Sequence, residues 1–315
     1  MKETQLLKML TKINISPYIY NIWRFFMNLG LSLAGGGVKG IAHIGAIKAL
    51  EEEYIKFNII AGTSSGSIVA TLYAVGFNTD EIYAFFEEYA KQIRYVDFKN
   101  IKKFAKDLIF KHKFIINGLN SGESIYRIVN KECNKKGIYN INQIKMPLII
   151  PAVDICNEDL YVFHSKGVKN IKEENVKYVD DANIGTVVQA SCSYPGIFSP
   201  CDKYKNTVLV DGGIEDNFPW RETKRAGADK VLTIAFEEND KEESCDDSLF
   251  GVLNKSFKIL YRELSKYELD GTDYLLKIRL NKRGLLDYKN MNEIYNEGYI
   301  QTKIKINEIK EKLNI

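Results

Sequence analysis

The sequence predicts an α/β fold, because short apolar strands alternate with helical patterns along most of the chain. Residues 29–53 have the pattern of a strand, a glycine loop and a helix, and residues 59–76 that of a strand, a sharp turn and a helix. A third strand, residues 207–210, ends at Asp211 and two glycines. A chain of 315 residues can bury a full core, as one large α/β domain or two smaller ones.

The bulk composition excludes several classes of protein. The net charge of +3 is too small to indicate a nucleic-acid partner. The five cysteines are scattered and contain no C-x-x-C pair, which indicates reduced thiols and no disulfide or zinc framework. No apolar stretch reaches the roughly 18 residues that a transmembrane helix needs. Because Lys8, Lys12 and Pro17 interrupt any signal-peptide core, the sequence predicts a cytoplasmic location.

Two segments add the option of peripheral membrane contact. The N-terminal leader, residues 1–28, contains the aromatic run 17–26, which either packs over a sheet edge or lies at a lipid interface. Residues 91–115 hold eight Lys or Arg against two acidic residues, with aromatic and aliphatic residues between them. This second segment is either a solvated helix face or a basic amphipathic cap that meets anionic lipid.

The turn after the strand in residues 59–76 contains a G-x-S-x-G motif, made of Gly62, Thr63, Ser64, Ser65 and Gly66. A strand before it and a helix after it are the context of a nucleophile elbow. The two glycines leave room where a Cβ would clash, so the turn lifts Ser64 to the top of the sheet beside a helix N-terminus. The alternative is a Ser- and Gly-rich turn that only caps a helix.

The glycine loop after the first strand admits more than one use. Gly35, Gly37 and Gly40 match the dinucleotide fingerprint, but no acidic residue ends the next strand, as a Rossmann site would require. An Ile-Ala pair follows the last glycine where a P-loop has Lys and Ser or Thr. The use that best fits a following nucleophile elbow is an oxyanion hole formed by backbone N–H groups.

A serine nucleophile needs a base, and the chain order leaves two alternatives: either the base is a carboxylate or the G-x-S-x-G turn is not catalytic. In α/β-hydrolases the histidine follows the acid, whereas His43, His112 and His164 all precede Asp211. We expect His43 to be a packed, hydrogen-bonded side chain. Asp211 ends a strand, so we expect it at the same sheet edge as Ser64, where desolvation would strengthen it as a base. The alternative for Asp211 and its two glycines is a plain turn.

The three motifs, in the order glycine loop, G-x-S-x-G and D-G-G, resemble the bacterial type of the patatin-like phospholipase family from about Leu31 to Phe236. Residues 190–200 and 217–219 also resemble the family. The resemblance assigns the catalytic dyad to Ser64 and Asp211, the oxyanion hole to Gly35, Gly36 and Gly37, and further motif positions to Lys39, Gly40, Gly62, Gly66, Gly212 and Gly213.

The resemblance implies a three-layer α/β/α sandwich with a mostly parallel central sheet. It also implies a lipid acyl hydrolase that uses a Ser–Asp dyad and an acyl-enzyme, without a metal or cofactor. We expect a leader at residues 1–28, a catalytic domain at 29–240 with a candidate helical cap at 80–135, and a C-terminal helical extension at 241–315 packed on the same domain.

Several functions remain open at this point. The leading hypothesis is a phospholipase A or lysophospholipase that acts on phospholipid or another acyl ester. A soluble carboxylesterase with the same dyad is the nearest alternative. A nucleotide-binding module built on the glycine loop, and a catalytically silent lipid-binding scaffold, belong to other classes. The sequence does not determine the oligomeric state.

Overall fold

A mixed central sheet organises the part of the chain that the structure describes. The structure, a computed structural model, describes residues 27–92, 120–165, 168, 174–238, 248–281 and 287–315. The strands in these residues are β1 (Leu29–Leu33), β2 (Ile59–Gly62), β3 (Leu148–Asp154), β4 (Asp159–His164), β5 (Val176–Val179), β6 (Leu209–Asp211), β7 (Lys230–Glu238) and β8 (Tyr274–Leu280).

The strand order is β5-β4-β3-β2-β1-β7-β8, and β6 pairs with β3 outside this path. Five neighbouring strands, β3, β2, β1, β7 and β8, run parallel. The pairs β3–β4 and β3–β6 are antiparallel, and β4–β5 is parallel. The sheet is therefore mixed and mostly parallel.

Helices connect the strands and cover both faces of the sheet. Their bounds are α1 (Ile41–Glu51), α2 (Ser65–Val75), α3 (Thr79–Gln92), α4 (Glu123–Lys135), α5 (Ile184–Ser191), α6 (Trp220–Arg225), α7 (Leu249–Glu268) and α8 (Met291–Leu313). Short 3-10 helices lie at Gly37–Gly40, Ile141–Gln143 and Gly212–Ile214.

Alternate side chains of the buried strands enter two different cores. Leu31 of β1 packs in the larger core with residues of α1, α2, α4, α5 and α8. Ile59 and Ala61 of β2 pack on the opposite face, against Trp220 and Ala226 at the two ends of α6. This period of two is what a strand buried on both sides requires. Helices on both faces of a mostly parallel sheet confirm the predicted fold class.

The C-terminal residues enter the same core as strands β1 and β2. β8 spans residues 274–280 and extends the sheet beside β7. Helix α8 lies along α1 at very short range, because an added Cβ on Gly45 would collide with the Tyr295 carbonyl, and one on Gly298 with that of Ala42. The two helix backbones therefore touch where the glycines lie.

The segments predicted to contact lipid lie outside the described residues. This holds for residues 17–26 and for all of residues 91–115 after Gln92. Across the described ranges, no helix is both long enough and apolar enough to span a membrane.

Candidate active site

Ser64 occupies a strained turn between β2 and α2. Its backbone has φ 53° and ψ −124°, a combination that residues other than glycine rarely adopt. An added Cβ on Gly62 would collide with the Gly66 carbonyl oxygen, and one on Gly66 with the Leu33 carbonyl oxygen. The Ser64 N–H donates to Ser191 Oγ at 3.0 Å, which ties the turn to α5. The turn thus presents Ser64 at the start of α2, where the helix dipole favours negative charge.

The strand pairing explains how Asp211 reaches Ser64. β4 lies along one side of β3, while β2 and β6 share the other side: β2 pairs with Leu148 and Ile149, and β6 with residues 152–154. β2 and β6 run in opposite directions, so they meet end to end where the first reaches Gly62 and the second Asp211. The expectation that Asp211 lies near Ser64 matches the structure, but its reason was wrong. The strand that ends at Asp211 is antiparallel to β3, so the rule that parallel strands end at the same edge of a sheet does not apply to it.

The Asp211 carboxyl is buried and only partly hydrogen-bonded. Its Oδ1 accepts a hydrogen bond from the Gly213 N–H at 2.8 Å. Its Oδ2 has no hydrogen-bond partner among the described residues. Burial raises the pKa of Asp211 to about 6, against the opposing effects of the Ser64 hydroxyl and the Gly213 N–H. The Ser64 hydroxyl therefore lies close to a desolvated carboxyl that keeps one oxygen free to accept a proton.

The glycine loop passes directly over the elbow. An added Cβ on Gly35 would lie 2.9 Å from Ser64 Cβ, so the backbone approaches the serine as closely as it can. The Gly35 N–H donates to Asn217 Oδ1 at 2.9 Å, so it is not free to hold an oxyanion, contrary to its assignment from the resemblance. The N–H groups of Gly36 and Gly37 have no acceptor among the described residues. These two groups are available as donors near Ser64.

The remaining motif residues support the backbone of the site. Gly40 ends the 3-10 helix and lets it pack on the elbow, since an added Cβ would lie 2.7 Å from Ser65 Cβ. Lys39 belongs to the same 3-10 helix and is half-buried. Gly212 lies against β3, where an added Cβ would collide with the Pro151 carbonyl. Within the described ranges, no group of three or more His, Cys, Asp or Glu side chains could hold a metal ion.

The two described histidines have structural surroundings. His43 is buried, its Nε2 lies 2.9 Å from the Ala34 carbonyl oxygen, and its ring packs on Phe236 at 4.5 Å between centroids. Burial lowers the pKa of His43 to about 4, so its ring is neutral near pH 7. The prediction of a packed, hydrogen-bonded His43 is confirmed. His164 is also buried, with its Nδ1 2.8 Å from the Ser165 carbonyl oxygen.

Two residues near the dyad were not predicted as functional. Asn217 links the segment after D-G-G to the glycine loop through a hydrogen bond from the Gly35 N–H. In the sequence, only its position six residues after Asp211 could have indicated this role. Tyr261, on α7, has its hydroxyl 3.2 Å from the position of an added Cβ on Gly213. Burial and the Asp211 carboxyl raise the pKa of Tyr261 well above its usual value. No local pattern in the sequence indicates that α7 reaches the site.

The geometry can be compared with known proteins at this point. Residues 31–224 match the sequence model of the patatin-like phospholipase family. The chain belongs to this family. The match covers more than half of the chain and includes the glycine loop, the elbow and the D-G-G motif. The family predicted from the three motifs is therefore confirmed.

Relatives and a solved structure agree with the family assignment. Lysophospholipase NTE1 of Meyerozyma guilliermondii is 27% identical over 65% of this chain, which spans 12% of that protein. Lysophospholipase nte1 of Emericella nidulans is 26% identical over 90% of this chain, which spans 18% of it. VipD from Legionella pneumophila superposes with a TM-score of 0.52 at 17% identity, over 89% of this chain and 67% of VipD. At that identity, VipD supports the fold alone.

Proposed function

We propose that this patatin-like protein is a lipid acyl hydrolase of the phospholipase A or lysophospholipase type. The observation that carries the proposal is the pairing of Ser64, in a strained conformation at the N-terminus of α2, with the desolvated Asp211 carboxyl, beside unoccupied backbone N–H groups. The names of the relatives, which are lysophospholipases, support a lipid ester as substrate. The chain spans less than a fifth of those relatives.

Acylation follows from the positions of these groups. Ser64 Oγ attacks the carbonyl carbon of the ester while Asp211 Oδ2 accepts the hydroxyl proton. The N–H groups of Gly36 and Gly37, with that of Ser65, hold the negative oxygen of the tetrahedral intermediate. When the intermediate collapses, the bond to the leaving alkoxide breaks and Asp211 returns the proton to it. The products of this half-reaction are a free alcohol and an acyl-enzyme on Ser64.

Deacylation uses the same groups in reverse. A water molecule attacks the acyl carbonyl, and Asp211 accepts one of its protons. The bond between the acyl carbon and Ser64 Oγ then breaks, the proton returns to Oγ, and a fatty acid leaves. A raised pKa suits Asp211 to this double role, because a carboxylate stabilised less by water is a stronger base.

The cellular setting is part of the proposal. We place the protein in the cytoplasm, with peripheral contact to a lipid surface through residues 17–26 and 91–115. The catalytic domain is assigned to residues 29–240, including the candidate cap at 80–135, and residues 241–315 form an extension on that domain.

The test is the release of fatty acid from mixed phospholipid vesicles in the presence of EDTA. Wild type should release fatty acid, whereas Ser64→Ala and Asp211→Asn should lose nearly all activity, by about 10³-fold or more. Both variants should keep the circular dichroism spectrum and melting temperature of wild type. Activity that survives Ser64→Ala would overturn the dyad.

Labelling with a fluorophosphonate separates two remaining outcomes. If wild type is labelled at Ser64 but hydrolyses only monomeric short-chain esters, the protein is a soluble carboxylesterase with the same dyad. If wild type is neither labelled nor active on either class of ester, the hydrolase function is wrong.

A further inference from the structure

Helix α7 exposes a continuous row of large apolar side chains. Phe257, Leu260, Leu264 and Tyr267, here called the apolar stripe, are between 42% and 76% exposed. They follow each other at intervals of three and four residues, so they lie on one face of the helix. Exposed apolar patches of this kind mark surfaces that bind a partner or a membrane.

One edge of the apolar stripe is fixed beside the catalytic loops, because Tyr261 and Glu268 lie three or four residues from its members. The Tyr261 hydroxyl lies close to Gly213, next to Asp211. At the C-terminal end of the helix, Trp220 Nε1 donates to the Glu268 carbonyl oxygen at 2.6 Å. The apolar stripe therefore runs along the border of the side of α7 that packs beside the proposed dyad.

The apolar surface continues towards the site itself. Ile214, which directly follows Gly213 in the D-G-G segment, is also exposed. A lipid surface resting on α7 would therefore meet apolar side chains up to the loop that carries Asp211. A partner with a flat, extended apolar surface fits this arrangement.

The charges on α7 favour an anionic partner surface. The helix sequence holds four basic and two acidic residues, a net charge of +2. Arg262 and Lys266 are exposed on the helix, and Glu263 pairs with both of them. Their spacing puts both on the polar face of α7, and basic groups on the polar face of a helix that also exposes apolar side chains are typical of helices in the interface of anionic membranes.

We propose that the apolar stripe of α7 docks on the surface of a phospholipid membrane that contains anionic lipid, and so sets the dyad against its substrate. This inference rests on the proposed lipid hydrolase function. It assigns membrane contact to a described surface beside the dyad, in addition to residues 17–26 and 91–115.

The main variant replaces two central residues of the apolar stripe, Leu260→Gln with Leu264→Gln. The matched control is Ile300→Gln with Ile304→Gln, because this pair on α8 has the same spacing and is 51% and 73% exposed. Vesicle binding is measured by co-sedimentation with equimolar phosphatidylcholine and phosphatidylglycerol, in a Ser64→Ala background that prevents hydrolysis. Activity is measured with Ser64 intact, on the same vesicles and on 4-nitrophenyl butyrate.

We expect the α7 double variant to bind vesicles at least about tenfold more weakly, since two large apolar side chains no longer enter the lipid. Its release of fatty acid from vesicles should fall in parallel, while hydrolysis of 4-nitrophenyl butyrate stays at the wild-type level. The α8 control should match wild type in all three measurements. A second variant, Arg262→Gln with Lys266→Gln, should weaken binding to the mixed vesicles but not to pure phosphatidylcholine.

Vesicle binding by the α7 double variant at the wild-type level would overturn the proposal. So would a wild-type dimer, seen by light scattering without lipid, that the α7 substitutions dissociate, because the apolar stripe would then be a contact between copies. Failure of the proposed hydrolase function gives a different result. In that case wild type hydrolyses neither the vesicle phospholipid nor 4-nitrophenyl butyrate.

Discussion

At the scale of single residues, the candidate site depends on the surroundings of one carboxyl. Asp211 is buried beside Ser64, and Cys192, Tyr194 and Tyr261 also interact with it electrostatically. None of these neighbours is a cation that would lower the pKa of Asp211. Burial, which raises this pKa, is the main effect on it. The proposed dyad therefore differs from a Ser–His–Asp triad, in which an imidazole transfers the proton and the acid only orients it.

This difference predicts the pH dependence of the reaction. The carboxyl of Asp211 must be ionised to accept a proton, and its pKa is raised to about 6. Hence kcat/KM should be constant above this pKa and fall about tenfold for each pH unit below it. The measurement is hydrolysis of 4-nitrophenyl butyrate as a function of pH.

Two control variants test which residue causes this fall in kcat/KM at low pH, here called the acidic limb. Glu268 has a pKa raised to about 7 by burial, so Glu268→Gln tests whether this group contributes to the limb. His43→Phe removes an imidazole whose pKa is lowered to about 4 by burial. Both variants should keep the limb of wild type. A limb that disappears with either substitution would assign the titration to that residue and contradict the role of Asp211.

A second prediction at this scale concerns Asn217. Its side chain holds the glycine loop through the Gly35 N–H, so Asn217→Ala should release the loop and misplace the donors at Gly36 and Gly37. We expect kcat to fall by about 10- to 100-fold with little change in KM, because the lost interaction acts on the transition state. Steady-state kinetics on a soluble ester measure this split. A rise in KM of the same size, with kcat unchanged, would contradict the role of Asn217 in positioning the glycine loop.

At the scale of elements, close backbone contacts at glycine residues join neighbouring elements. The elbow requires glycine at two positions of one short turn, whereas α1 and α8 meet through Gly45 and Gly298, which lie far apart in sequence. The end of α1 is also joined to α8 by ion pairs of Glu53 with Lys303 and Lys310. These pairs are partly exposed, so we expect the backbone contact to contribute more to stability.

Gly298→Ala should therefore lower the free energy of unfolding by about 1–3 kcal/mol, since the added methyl group overpacks the contact with Ala42. Asn296→Ala, at an exposed position of the same helix, is the control and should change stability by less than about 0.5 kcal/mol. Urea unfolding followed by circular dichroism measures both. An equal or higher stability of Gly298→Ala would show that the helices can separate without cost.

At the scale of the whole molecule, the catalytic motifs and the C-terminal residues share one sheet and one core. β8 pairs with β7 along its full length, and Ile278, Ile294 and Ile309 are buried with the side chains of β1. The C-terminal helix α8 covers the outside of α1, the helix that follows the glycine loop. Removal of the C-terminal residues would expose the part of this core that lies beneath α8 and β8.

We therefore predict that a chain ending at residue 240 does not fold by itself. It should show no cooperative thermal unfolding and should not be labelled at Ser64 by a fluorophosphonate, in contrast to the full chain. The reason is the loss of the buried apolar surface of β8 and α8. A truncated chain with a cooperative transition and normal labelling would show that residues 241–315 are an independent extension.

Much of the fold and part of the site could be predicted from local patterns. The strand before the glycine loop, the elbow and the strand that ends at Asp211 all lie where the sequence places them. Glycines in tight turns and apolar periodicity act over a few residues, so they can be recognised without knowledge of the fold. The order of the three motifs was also sufficient to predict the family.

The tertiary structure alone decided which of these parts meet. Asp211 reaches Ser64 on an antiparallel strand, Asn217 occupies the Gly35 N–H, and Tyr261 arrives from a helix near the end of the chain. Each of these contacts joins residues far apart in sequence, so it depends on strand order and helix packing, which local periodicity does not specify. The chemical groups of the site can be read from the sequence, but their free and occupied hydrogen-bonding positions follow only from the packed structure.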